Sequence, residues 1–257
     1  MSTSWPRPEA RLELARGEED GAGRLAENLQ AVRERIDAAA RAAGRDPASV
    51  RLLAVSKTRP AEDVRALAGL GQLDFAENRV QELAGKAADL ADLTGLRWHL
   101  VGQLQRNKAA AVVRLGAGVQ SVDRASLVQA LSRAADREGR TVDVHLQVDL
   151  GGPEGELGAR GGADPDEVPG LADAVAEAPG LRLLGLMAVA PRGEAPAPAF
   201  ARLAELAARV RADHPAALEL SAGMSGDLEA AVTAGATEVR VGTALFGARP
   251  LTSGPGE

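Results

Sequence analysis

Leu52-Leu53-Ala54-Val55-Ser56-Lys57-Thr58 is the stretch on which the fold turns. Apolar and small residues run straight into a lysine, Pro60 follows, and a helical pattern then begins. The segment reads as a buried strand that ends in a cation. A buried lysine is costly unless it is paired or neutralised. At the mouth of an apolar pocket it can lose its proton and attack aldehydes. Taken alone, the segment favours the ordinary alternative, a solvated lysine just past a strand. The residues after the strand are as informative. Lys57-Thr58-Arg59-Pro60 stands where a dinucleotide-binding unit carries its Gly-rich turn. No G-x-G-x-x-G or Walker sequence comes after any strand candidate.

Working outward, short β-like runs alternate with longer helical ones. Strands are predicted at 50–56, 72–76, 96–102, 119–122, 141–150, 181–190, 218–222 and 238–242. Helices are predicted between them at 61–70, 77–91, 104–115, 124–138, 165–178, 196–213 and 226–235. An earlier helix is predicted over 24–43, where Leu25, Leu29, Val32 and Ile36 recur at helical spacing before Gly44. Eight strands alternating with helices imply parallel βαβ units, and eight is the number that closes a barrel. The expectation is an α/β protein with a single (β/α)8 TIM barrel and an extra N-terminal helix. A doubly wound open sheet is the alternative. Residues 1–22, with Pro6, Pro8, Gly17 and Gly21, read as a flexible tail, 23–250 as the barrel and 251–257 as a C-terminal tail. The Gly-rich segment 151–164 reads as a flexible loop after the fifth strand, and 190–198 as structural.

Composition narrows the chemistry. The 257 residues are 45% apolar, enough for one large core. A net charge of -6 gives no basic field for nucleic acid. There is no cysteine, which removes disulfides, thiolate metal sites and thiol nucleophiles and fits a cytoplasmic setting. The first twenty residues hold no apolar run, so neither a signal peptide nor a membrane span is expected there. There is no tyrosine, so a phenolic acid or base is unavailable. The histidines are His99, His145 and His214; none has ligand spacing with another, and no metal site is expected.

Barrel enzymes work at the C-terminal ends of their strands. That rule gathers Lys57 from strand one, and Glu77 and Asn78 from strand two. Strand three adds His99, Gly102, Gln103 and Asn107, with His99 and Trp98 better read as core. After strand seven come Ser221, Gly223, Met224 and Ser225, and after strand eight Arg240, Gly242 and Thr243. Ser225 stands where a helix N-cap belongs. Glycines let a backbone approach a ligand, and amides at helix starts bind anions. Either turn alone is an ordinary capped helix. Two in the usual phosphate position of such barrels, together with Lys57, favour a phosphorylated ligand. Arg240 lies on the strand face opposite Val239 and Val241, so it enters the barrel or pairs with Glu238.

LLAVSKTRP, FAENRVQE, WHLVGQLQRNK, LSAGMSGD and VRVGTALFGAR together resemble the pyridoxal 5'-phosphate homeostasis protein family, with its alanine racemase N-terminal-like barrel. The resemblance runs from about Leu25 to Arg249. It implies pyridoxal 5'-phosphate (PLP) as cofactor, with Lys57 in VSKT as the Schiff-base lysine. It implies Ser225, Gly242 and Thr243 as the phosphate cradle, flanked by Gly223 and Met224. It places Arg240 opposite the pyridine nitrogen and Asn78 at the cofactor's side. The sequence departs from the family where Ala76 replaces the glycine of FGEN and Ala222 a methionine. Arg160 stands near a lysine common after strand five.

A two-base racemase pairs its lysine with a tyrosine, which this chain lacks, as would any second copy of it. The resemblance thus implies a monomeric PLP-binding protein that stores, delivers or regulates the cofactor, with apo PLP-dependent enzymes as partners, rather than an enzyme. Alternatives are a PLP-dependent enzyme such as a weak amino-acid racemase using another base, and a Schiff-base aldolase on Lys57.

Overall fold

The structure, a computed structural model, describes residues 8–151 and 161–247, with side chains from residue 21. The apolar run that leads to Lys57 forms β1 (Arg51–Val55). It is succeeded by β2 (Asp74–Glu77), β3 (Arg97–Leu100), β4 (Gly118–Val122), β5 (Val142–Val148), β6 (Leu181–Ala188), β7 (Glu219–Ser221) and β8 (Glu238–Val241). All pair in parallel and in sequence order, and β1 pairs with β8 to close the barrel. Every expected strand is present, most of them shorter than expected, though β2 runs one residue further, to Glu77, and β4 starts one earlier, at Gly118; the closed barrel replaces the open-sheet alternative.

The outer helices are α2 (Ala61–Gly69), α3 (Val80–Asp89), α4 (Ala109–Arg114), α5 (Ala125–Glu138), α6 (Val168–Glu177), α7 (Pro196–Asp213) and α8 (Leu228–Thr233). Their apolar faces, for instance Val64, Leu67, Leu83, Leu127, Leu131 and Leu203, are fully buried against the strands. Burying each such side chain contributes about 1.5–3 kcal/mol. Before the barrel, α1 (Pro8–Ala42) begins inside the span read as a tail. Its Leu25, Leu29, Val32 and Ile36 are buried, as the spacing predicts. A four-residue helix, α9 (Thr243–Phe246), adds to the expected set. It is too short to show a period in the sequence. Most of the 151–164 loop, with Arg160, and both terminal segments 1–7 and 248–257 lie outside the described residues. Among the described residues no helix is long and apolar enough to cross a membrane.

The barrel interior is polar toward the strand starts. Gln120 of β4 donates to Glu238 Oε1 of β8 at 2.6 Å, which spans the barrel. Arg51 bonds Glu238 at 2.7 Å and Glu219 at 2.8 Å. His145 Nε2 lies 3.1 Å from Glu219 Oε2. Burial pushes the Glu219 carboxyl up, but His145 and Arg51 outweigh it and hold it at about 2. Its folded value lies below its ordinary 4.5, so its contribution is complete above pH 4.5 and is lost as pH falls toward 2. The urea midpoint is therefore expected to drop across that window. In Glu219→Gln the drop should be shallower, and an unchanged slope would contradict the assignment.

Candidate functional site

Lys57 comes directly after β1, and Ser56, just before it, takes the last rung of the sheet, its amide bonded to Ala76 O at 3.0 Å. The chain then turns sharply. Thr58 has a φ of +63°, the left-handed region in which it stands alone among the described non-glycine residues. Lys57 and Met224 line one cavity of about 540 Å³ with Gly226, Asp227 and residues 189–192. That volume lies within the range of small-molecule sites.

The turn after β7 is built on Gly223, whose φ is +89°. A Cβ there would approach the Ala231 side chain to 2.6 Å, so a glycine is needed for α8 to pack. Ser225 does not cap α8. The N-cap is Asp227, with no side-chain cap bond. Ser225 Oγ instead accepts from the Ala244 amide at 3.1 Å. The hydroxyl therefore ties the β7 turn to the start of α9, where Gly242 and Thr243 lie. Asp227 Oδ1 accepts from the Met224 amide and holds the same turn from inside. Helix α1 grips both turns: Arg35 donates to Ser225 O at 3.0 Å, and Asn28 donates to Leu245 O at 2.9 Å.

Arg240 enters the barrel. Its exposure is 5%, and no described carboxylate bonds it. Nη1 donates to Ser221 O at 2.6 Å and to Ser221 Oγ at 2.8 Å, and Nη2 donates to Ala188 O at 2.7 Å. Ser221 Oγ donates in turn to Glu238 Oε1 at 2.8 Å. Glu238 is thus one hydroxyl removed, not a partner. Burial lowers the Arg240 pKa to about 10, which leaves it charged at neutral pH.

The other expected residues divide. Gly242 and Thr243 do not line the Lys57 cavity, and neither does Ser225, whose hydroxyl meets the Ala244 amide next to them. Asn78 comes just after β2 and does not line it either. Its backbone is held from behind, because a Cβ at Gly102 would meet Asn78 O at 2.2 Å. Gly102→Ala is expected to push the Asn78 turn aside and cost about 1–3 kcal/mol, read from urea unfolding. His99 is partly buried, 3.5 Å from Asp74, and no described cluster could hold a metal.

The sequence matches the alanine racemase N-terminal domain over residues 28–250. A pyridoxal phosphate homeostasis protein of Pseudomonas aeruginosa is 48% identical over 228 residues, 88% of this chain and 96% of the relative.

The chain belongs to the pyridoxal phosphate homeostasis protein family.

Among solved structures, PipY of Synechococcus elongatus with PLP bound superposes with a TM-score of 0.75 at 38% identity, covering 87% of this chain and all of PipY. The alanine racemase of Streptomyces coelicolor shares the fold, with a TM-score of 0.70 at 22% identity over 59% of its own length. Sequence reading missed one group beside Lys57. Lys86 and Glu82 of α3 form an i,i+4 pair, a pattern that ordinarily marks a solvated helix face. Lys86 is only 6% exposed and reaches Glu77 at the end of β2.

Proposed function

We propose that this chain binds PLP covalently through Lys57 and serves intracellular PLP homeostasis, by storage, delivery or regulation, without robust catalysis of its own. The observation that carries the reading is the cavity shared by Lys57 and the β7 turn. The donor set fits the cofactor: an amine, two turns of backbone amides tied through one hydroxyl, and a buried guanidinium that bonds no described carboxylate. When bound, PLP supplies an aldehyde that condenses with an amine, releasing water, and a phosphate dianion.

In this reading the Ser225 hydroxyl and the amides of the Gly242-Thr243 turn take the phosphate, with Gly223 and Met224 shaping its rim. Asn78 flanks the ring. Arg240 donates toward the pyridine nitrogen. Guanidinium has no acceptor and keeps its protons, so it leaves that nitrogen unprotonated. The electron demand of the ring is then weak, and no tyrosine stands opposite Lys57 as a second base. Both features favour holding over turnover. A monomeric, cytoplasmic protein that hands PLP to apo-enzymes belongs to the same proposal.

The test is mass spectrometry of the purified protein after PLP loading and borohydride reduction. A pyridoxyl adduct on Lys57, with no turnover of amino acids, is expected. An adduct on another lysine, or none, would overturn the reading.

A further inference from the structure

Helix α3 reaches the cofactor lysine from behind. Lys86 Nζ donates to Ser56 O at 2.6 Å, Glu77 Oε1 at 2.5 Å and Glu82 Oε1 at 3.2 Å, which uses all three ammonium protons. Ser56 Oγ donates to the same Glu77 oxygen at 2.6 Å. Glu82 Oε1 also accepts from the Thr58 amide. The residues on both sides of Lys57 are therefore fixed by one helix turn: the carbonyl of Ser56 by Lys86, and the amide of Thr58 by Glu82.

The cluster is an expensive way to fill the gap between α3 and the barrel. Glu77 is fully buried, and its Oε2 has no hydrogen-bond partner among the described residues. Burial pushes its carboxyl pKa up despite Lys86 and Ser56. An apolar pair of the same volume is often as stable as a buried ion pair, or more so. Stability alone gives no reason for these groups. Thr58 supplies one: a left-handed threonine persists only where its surroundings over-determine it. Glu82 is the side chain that bonds its amide.

We propose that Lys86 and Glu82 are positioning residues for Lys57: by holding the peptide groups on either side of it, they aim its amine into the cavity for covalent capture of PLP. This deepens the reading of Lys57 as the PLP-bearing residue and rests on it. A misplacement of about 1 Å can cost up to about a hundredfold in a reaction that depends on alignment.

The experiment compares full-length apo protein with Glu82→Ala, Glu82→Gln and the charge-balanced double variant Glu77→Gln/Lys86→Met. The double variant leaves no lone buried charge, and Glu82 is partly exposed, so folded protein is expected from each. Capture is monitored by stopped-flow absorbance after mixing with PLP and confirmed by borohydride trapping. Pyridoxine 5'-phosphate, which lacks the aldehyde, reports binding without capture. Glu82→Ala and the double variant should capture PLP about tenfold more slowly, while binding pyridoxine 5'-phosphate as the parent does. Glu82→Gln keeps an acceptor for Thr58 and should recover most of the rate. Unchanged capture, or equal loss of pyridoxine 5'-phosphate binding, would overturn the positioning role. Absence of a Lys57 adduct in the parent would instead defeat the reading of Lys57 itself.

Discussion

Lys57→Ala is expected to eliminate the borohydride-stable pyridoxyl adduct and the visible absorbance that accompanies lysine-linked PLP. The substitution removes the only described amine on the cavity wall. The backbone needs little adjustment, because Ser56 and Thr58 are held by Lys86 and Glu82. In the proposed binding mode, what would remain is the phosphate contact at the two turns and the contact at Arg240. PLP affinity should fall by roughly a hundredfold or more, equivalent to about 2.7 kcal/mol. Equilibrium dialysis reads that loss, and the melting temperature of the apo protein should hardly move. A variant that still forms a reducible adduct would show that another lysine carries the cofactor.

The largest effect on stability is expected from Arg51→Met. Arg51 bridges Glu238 and Glu219, and Glu238 has no exposure at all. Methionine matches the aliphatic stem but leaves two carboxylates facing one another in the barrel. Removing one member of a buried pair costs about 3–5 kcal/mol, and the partial exposure of Arg51 points to the lower end. The urea midpoint should fall accordingly. Adding Glu238→Gln should restore part of it, because the amide keeps the shape and loses the charge. Additive losses in the double variant would show that the two groups are not coupled.

Much of this fold was legible because its strands are apolar runs and its helices keep a clean period. Leu52 to Val55 and Val239 to Val241 read as strands on side chains alone. The interior did not. Arg51, Asp74, Arg97, Glu219 and Glu238 all stand at strand starts, where a charge ordinarily marks the edge of burial. Only closure shows that Gln120 and Glu238, 118 residues apart, touch. The site was legible at the level of which residues gather, since strand ends converge by topology. It was not legible at the level of bonds. Ser225 fitted an N-cap by sequence, yet its oxygen serves the neighbouring turn, because the first turn of α8 is left to Asp227. Glu82 and Lys86 fitted a surface pair, yet the β1 turn folds over them.

The grip of α1 on the last two turns bears on how the protein is made. Asn28 leaves the ribosome 217 residues before Leu245, whose carbonyl it holds. At synthesis rates of about 5–20 residues per second, that is a wait on the order of ten to forty seconds. During it Lys57 is already synthesised, while the turns opposite it do not yet exist. The nascent chain then presents an amine without the turns proposed to take the phosphate. In the proposed binding mode, selective retention of the cofactor therefore begins only once α9 has been made and α1 meets it.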